Sequence, residues 1–598
     1  MIYFTFTSGT QWNNLDFTGQ WFNYSAGIWM FDLEGLYPEL DNEDYDTILT
    51  FGAIEITSIL VDNAAIDKIA SIAALATAPG FYWDALDKRV YLRLANFESP
   101  DYHSINIGLS EYLSDEPYID ASNNIYKPYL IPGDFSKITI NRDPLYKVNG
   151  SGENIISTDT FTVGATNAHL LYNTFNLFDI YKQPVTAGFI YEGVNYPLFS
   201  GYLNTYSIGE TLQINAMDKK KALDEFVTES YYLSSDFPNL HPDDDFKPQP
   251  MRWGNCYKVP CICVNRGAYL QASAQTLQFH VADTIFHDIT GIDAFYHKDV
   301  SKTIASKDLT TGIFTYSKAA GEEIDFGECT CTIRGYKDDL GVFMQNPADI
   351  IKDILLYTSD KTYNATNYNL SKWTAVRTKL KDAWLDTSDE DVLTCIARVI
   401  AQNATFIIEP DGKYSLSKQD FTGTPTYTIP KEYILNLTQL SESYDPSEVF
   451  AMIKLEYGNG QTYINTDNKQ YVIDKFRTKN VFTYKTSLSS ITHVQALSEE
   501  IANVLKEIRP VYRIELPIQK WHMLKLDDIV AVQIDKVVES WRGYRNLIIE
   551  SIEKDPLNYV VYINARYVGE TTIEPSITAS VKLGGEIMGG EMVAGGPI

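Results

Sequence analysis

Thr405-Phe-Ile-Ile-Glu409, Pro410-Asp-Gly412 and Lys413-Tyr-Ser-Leu416 read in order as strand, turn and strand. Phe, Ile and Tyr suit a pleated, half-buried surface, and Gly412 admits the positive φ that a tight reversal demands. Most of the chain repeats this pattern of short aromatic or β-branched runs separated by turn residues. Phe81-Tyr-Trp83, the turn Asp84-Ala-Leu-Asp87 and the alternating Val90-Tyr-Leu-Arg-Leu94 are a second case. The expected fold class is mainly β with a few α-helices, in several domains.

The helices announce themselves by spacing. Asn346-Pro347 opens one, with Ile350, Ile351, Ile354 and Leu355 on one face. The capping-box-like Ser388-x-x-Asp391 starts a second, striped by Leu393, Ile396, Ala397 and Ile400. A third runs over about 491–508 with Val494, Leu497, Ile501, Val504, Leu505 and Ile508, and Pro510 stops it. Shorter candidates lie near 63–75, 217–226 and 372–384. Each stripe reads as core packing rather than as a groove for a partner.

At 598 residues the chain has room for three to five domains of roughly 100–200 residues. Its 41 Tyr and 28 Phe argue for strands and also for partners, because aromatics enrich interfaces. A balance of 49 basic against 78 acidic residues, hence −29, excludes a protein that grips nucleic acid through its phosphates. It permits a conduit whose acidic wall repels passing DNA; solubility is the plainer account of the same charge. The opening Met1-Ile-Tyr-Phe-Thr-Phe-Thr7 has neither a basic region nor an apolar stretch before a cleavage site, so no secretory signal is expected. No run reaches the roughly 20 apolar residues that span a bilayer, so no membrane span is expected.

No phosphate-cradling glycine motif, His-Glu-x-x-His or Gly-x-Ser-x-Gly elbow occurs. No catalytic residue is nominated, and the protein is expected not to be an enzyme. Six cysteines are too few for a disulfide scaffold in a chain this long. Cys256, Cys261 and Cys263 lie in one stretch and Cys329 and Cys331 in another, while Cys395 stands apart. Each Cys-x-Cys pair points to one side of its strand. Facing pairs could hold zinc or an iron–sulfur cluster, but metal knuckles favour Cys-x-x-Cys, and small buried thiols are the better fit. The carboxylate runs Asp41-Asn-Glu-Asp-Tyr-Asp46 and Asp243-Asp-Asp245 lack an EF-hand register and read as solvated loops.

Several segments, taken in order, resemble tail-tip and baseplate-hub proteins of long-tailed, siphovirus-like bacteriophages. Pro79-Gly-Phe-Tyr-Trp-Asp84, Arg89-Val-Tyr-Leu-Arg93 and Tyr126-Lys-Pro-Tyr129 look like that family's opening. Leu198-Phe-Ser-Gly201-Tyr-Leu203, Leu212-Gln-Ile-Asn215 and Asp218 are similar to its first barrel. Trp253-Gly254, Val259-Pro260, Gly312-Ile-Phe-Thr-Tyr316 and Cys331-Thr-Ile-Arg-Gly335 resemble an inserted β-rich module. Asn346-Pro-Ala-Asp-Ile350, Asp391-Val-Leu393 and Asp411-Gly-Lys-Tyr-Ser-Leu416 resemble the helices and hairpin that follow. Leu524-Lys-Leu-Asp-Asp-Ile-Val530 and Tyr544-Arg-Asn-Leu-Ile-Ile549 look like the closing barrel, except that Asp527 stands where the family has Gly. The likeness spans about 80–570.

Composition and the resemblance together give an N-terminal β-rich domain (1–125), a first hub β-barrel (126–235), an inserted β-rich module (236–345), an α/β module (346–430), a second hub β-barrel (431–570) and, from its recurring paired glycines, a Gly-rich tail (571–598). The Pro- and Asp-rich stretch Ser234–Pro250 reads as an exposed connection. The implied function is structural: a minor tail protein of the virion's tail tip, made in the host cytoplasm and active in genome ejection and host entry. It forms a homotrimeric ring that continues the tail tube and adapts sixfold to threefold symmetry. It lets DNA pass without stable binding and contacts the distal tail, tape-measure and fibre proteins. The alternatives are a receptor- or carbohydrate-binding tail protein and, less favoured, a wall hydrolase.

Overall fold

The computed structural model describes residues 1–570 apart from internal stretches, the longest being 8–20, 33–54, 143–154, 167–182 and 535–542. Asp41–Asp46 and the Gly-rich tail 571–598 lie outside the described residues. The chain is mainly β and multidomain, built on one nearly closed barrel sheet and one half-barrel.

The larger sheet has nine strands. Six of them, Leu130–Ile131, Thr160–Ala165, Leu212–Met217, Val194–Ile208, Pro184–Tyr191 and Ile2–Thr7, pair in that order, all antiparallel. The first and last of these approach each other, so the sheet curls nearly shut. Phe4 and Phe161 stack across the interior at 6.5 Å, and Phe161 stacks on Phe199 at 4.9 Å. Ile105–Ser114, Glu55–Val61 and Ala64–Ile66 extend the sheet beyond Ile2–Thr7.

The second sheet has seven strands: Tyr427–Ile429, Ile529–Ile534, Gly543–Asp555, Val560–Glu570, Val511–Pro517 and Asn436–Gln439 in order, with Ile138–Asn141 added to Gly543–Asp555. Side-chain alternation explains the faces. In Val511–Pro517, Tyr512, Ile514 and Leu516 are buried while Arg513 is exposed, as a period of two requires. Ile138–Asn141 comes from the chain between two strands of the first sheet, yet pairs with Ser551–Lys554 and buries Ile138 and Ile140. Through this strand the two sheets share one hydrophobic core, which runs from Phe4 and Phe199 to Ile549 and Ile563. A one-residue slip of its register would turn both isoleucines outward.

The remaining units are inserted between barrel strands. Residues 255–336 form two four-stranded sheets packed over Phe279, Phe295 and Phe314, whose rings lie 4.8–5.3 Å apart. The hairpin Ala404–Ile408 and Tyr414–Lys418 forms as the sequence implies, with Gly412 at φ 78°. It is buried on both faces, because Ile155–Ile156 lengthens its sheet and the helices Pro347–Ser359, Leu370–Arg377 and Val392–Val399 belong to the same core. A further unit lies within 431–570. Met452–Tyr457 pairs in parallel with Val481–Lys485, a connection that needs a crossover, here containing Lys469–Phe476. Ile491–Leu505 covers this sheet with Val494, Leu497 and Ile501 buried.

Two local readings are refined. The second helix begins at Val392 with Asp391 itself as the cap, its carboxylate accepting from Thr394 N at 2.8 Å; a capping aspartate satisfies a free N–H of the first turn. The stretch 234–250 is not wholly exposed. Leu240 joins Tyr232 and Val264 in a small core, and Asp244, also buried, accepts from Lys247 at 2.6 Å and Arg266 at 3.3 Å.

Candidate functional site

The five cysteines named from sequence are all buried, and all belong to the inserted β-rich module. They do not converge on one point. Cys256 turns away, its thiol donating to Trp253 O at 3.4 Å and Leu385 O at 3.5 Å. Cys261 lies against Cys331, to which its thiol donates, and its backbone N–H reaches Cys329 O at 3.3 Å. Cys263 sits beside Cys329, and Cys395, in a helix, donates to Thr387 Oγ1 at 3.5 Å. Burial pushes Cys263 and Cys329 up to about 12 and raises Cys256 and Cys261 as well. Cys331 differs. Burial works against its charge too, but the Cys261 thiol and the Arg252 guanidinium bring it below the ordinary thiol value.

Arg252 is the cation beside Cys331. Its side chain is 1% exposed. It donates from Nε to Asp386 at 2.8 Å, from Nη2 to Pro260 O at 2.5 Å and from Nη1 to Val281 O, with Cys331 Sγ 3.9 Å from Nη1. Arg252 and Asp386 face each other across the pair Met251–Trp253 and Leu385–Thr387, an opposite-charge cross-strand arrangement. Among the described residues no three His, Cys, Asp or Glu side chains meet as a metal-ligand set. Burial and then Arg252 lower His280 to about 3, leaving it neutral beside the Tyr232 hydroxyl at 2.8 Å.

A second buried knot links the 251–336 region to the helix Pro347–Ser359. Asp353 accepts from Trp253 Nε1 at 2.7 Å and from His287 Nε2 at 2.9 Å. Burial opposes a charge on His287, but the Asp353 hydrogen bond and carboxylate outweigh it and raise the imidazole above its ordinary value. Protonated His287 therefore favours the folded form. Its contribution is complete below about pH 6.5, the unfolded value, and is lost as pH rises through the higher folded value. Thermal midpoints measured across this range should fall with rising pH, and His287→Gln should flatten that slope. An unchanged slope in the variant would refute the assignment.

A third knot joins the barrels to the α/β module. Arg142, next to the exchanged strand, pairs with Asp527, their side chains 7% and 4% exposed. Arg142 Nη2 donates to Thr405 Oγ1 at 2.5 Å, and the Ser417 hydroxyl donates to Asp527. Asp527 has φ 62°. It keeps the left-handed turn that a glycine would make there, which aspartate tolerates better than most residues. Sequence reading missed the roles of Arg252, Asp353 and Arg142; the one signal was the carboxylate in place of glycine at 527. Of the acidic run 243–245, Asp243 is exposed and Asp244 is held by the ion pairs already given. No helix among the described residues is long and apolar enough to cross a membrane.

No protein-family model and no curated protein matches this chain. Solved structures do. A tail protein from Neisseria meningitidis matches at 7% identity over 75% of this chain and 95% of its own, with a TM-score of 0.34. The 43 kDa tail protein of prophage MuSo2 from Shewanella oneidensis matches at 10% identity over 75% and 96%, with a TM-score of 0.34. A prophage tail protein from Listeria monocytogenes matches at 10% identity over 75% and 93%, with a TM-score of 0.33. These three neighbours are described as tail proteins.

Proposed function

We propose that the chain is a non-enzymatic hub at the tip of a bacteriophage tail, assembling as a trimer around a passage for DNA. The observation that supports this reading most is the pair of curved sheets. They lie side by side on one shared core and are bound together by the exchanged strand Ile138–Asn141. In a three-copy ring this pair supplies six curved sheets, matching a sixfold tube above while presenting threefold symmetry below. The net charge of −29 suits a wall that DNA passes without adhering. In this reading the inserted units face the neighbouring distal tail, tape-measure and fibre proteins.

Electron microscopy and mass measurement of the purified chain test the proposal. The expected result is a particle of three times the chain mass with a central hole, and antibody against the chain should decorate the virion at its tail tip. A monomer that borders no passage, at concentrations where tails assemble, would overturn it.

A further inference from the structure

Where the barrel and the half-barrel meet the α/β module, a partly enclosed cavity of about 170 Å³ opens. Its apolar wall includes Leu198 from the barrel, Ile140 and Ile552 from the half-barrel, and Ile407 from the hairpin. Three lysines also line it. Lys525 is paired with Glu409. Lys372 donates to Leu526 O at 3.2 Å and lies 3.3 Å from Asp528. The Lys554 ammonium has no hydrogen bond or ion pair among the described residues. The lining residue His522 likewise keeps a buried Nδ1 without a partner. Lys554 is half-buried, so the cavity presents an ammonium that none of the described residues answers, and a partly desolvated charge gains from a partner.

We propose that this cavity binds a short-chain monocarboxylate, its carboxylate on the Lys554 ammonium and its alkyl body against Leu198, Ile140 and Ile552. Size fits: an apolar cavity of about 150 Å³ takes up benzene, so six to eight non-hydrogen atoms is the right scale. Charge selects the class. Glu409 and Asp411 also line the cavity, so the phosphate dianion meets repulsion from two carboxylates and the phosphate monoanion brings no alkyl body to the apolar wall, while a single charge on an alkyl chain is answered by the free lysine. Burial and then the neighbouring Lys525 lower Lys554 to about 8, against the opposing pull of Asp411, Glu409 and Asp528. A bound carboxylate reverses that shift. Because the cavity touches the barrel, the half-barrel and the module, its occupant bridges all three.

Calorimetric titration of the full chain with hexanoate near neutral pH should show saturable binding, and inorganic phosphate should show none. Lys554→Met should weaken hexanoate by about tenfold or more, as loss of one charge-assisted contact implies, and Lys554→Arg should retain most of it. In the unaltered protein, hexanoate should slow trace acetylation of Lys554 by acetic anhydride, read by peptide mass spectrometry, so the test survives a variant that fails to fold. Absence of saturable binding, phosphate binding as well as hexanoate, or an unchanged acetylation rate would each overturn the proposal. None of these outcomes depends on the oligomeric state.

Discussion

Asp527→Ala is expected to destabilise the fold by about 3–5 kcal/mol, the usual cost of stripping one partner from a buried ion pair. The substitution leaves the Arg142 guanidinium, 7% exposed, without its carboxylate at the junction of barrel and module. It also forces alanine into φ 62°, which adds about 1–2 kcal/mol for a residue with a Cβ. Asp527→Gly removes only the second penalty, so it should be the milder variant by that margin. Chemical denaturation of the two proteins separates the terms. If glycine were no better than alanine, backbone strain would play no part. If both cost less than about 1 kcal/mol, within the range of an exposed pair, Arg142 and Asp527 would not be holding the junction.

Arg252→Ala should cost a similar amount, about 3–5 kcal/mol, because the side chain is fully buried and Asp386 and two backbone carbonyls depend on it. The damage should concentrate in residues 251–336, where hydrogen exchange would show the strands opening before the barrels do. A second readout follows from the thiol cluster. Without the guanidinium the strands around Cys331, which is 0% exposed in the native fold, open more readily, so its alkylation at mildly alkaline pH should quicken. Arg252→Lys should not restore stability, since one ammonium cannot reproduce the planar fork that reaches Asp386, Pro260 and Val281 together. Full rescue by lysine would show that charge alone matters there.

Local features were legible. Gly412 makes the turn it was expected to make, and Ile350, Ile351, Ile354 and Leu355 are all buried along their helix. Asn346 caps that helix, its side-chain oxygen accepting from Ala348 N at 3.0 Å. The cysteines were recognised as buried, yet the cation among them was not, because nothing near Arg252 in sequence marks it as the partner of Asp386, 134 residues away. The Arg142–Asp527 joint spans 385 residues. Lys554 and His522 meet only where three units converge.

What the sequence determined by itself is most of the strands, three of the helices and the faces these turn inward, since they depend on side-chain periodicity over a few residues. The stretch near 63–75, expected helical, is instead the strand Ala64–Ile66 followed by the short helix Ile72–Leu75, and the helix Lys469–Phe476 was not foreseen. Tertiary structure alone decided which strands pair: Ile2–Thr7 with the barrel, Ile138–Asn141 with the half-barrel, and a whole α/β unit lodged between Asn436–Gln439 and Val511–Pro517. Backbone N–H and C=O groups are alike at nearly every residue, so hydrogen bonding along a strand names no partner. The choice falls to how distant apolar faces fill a common core, and that information is shared across the chain rather than written at any one place in it.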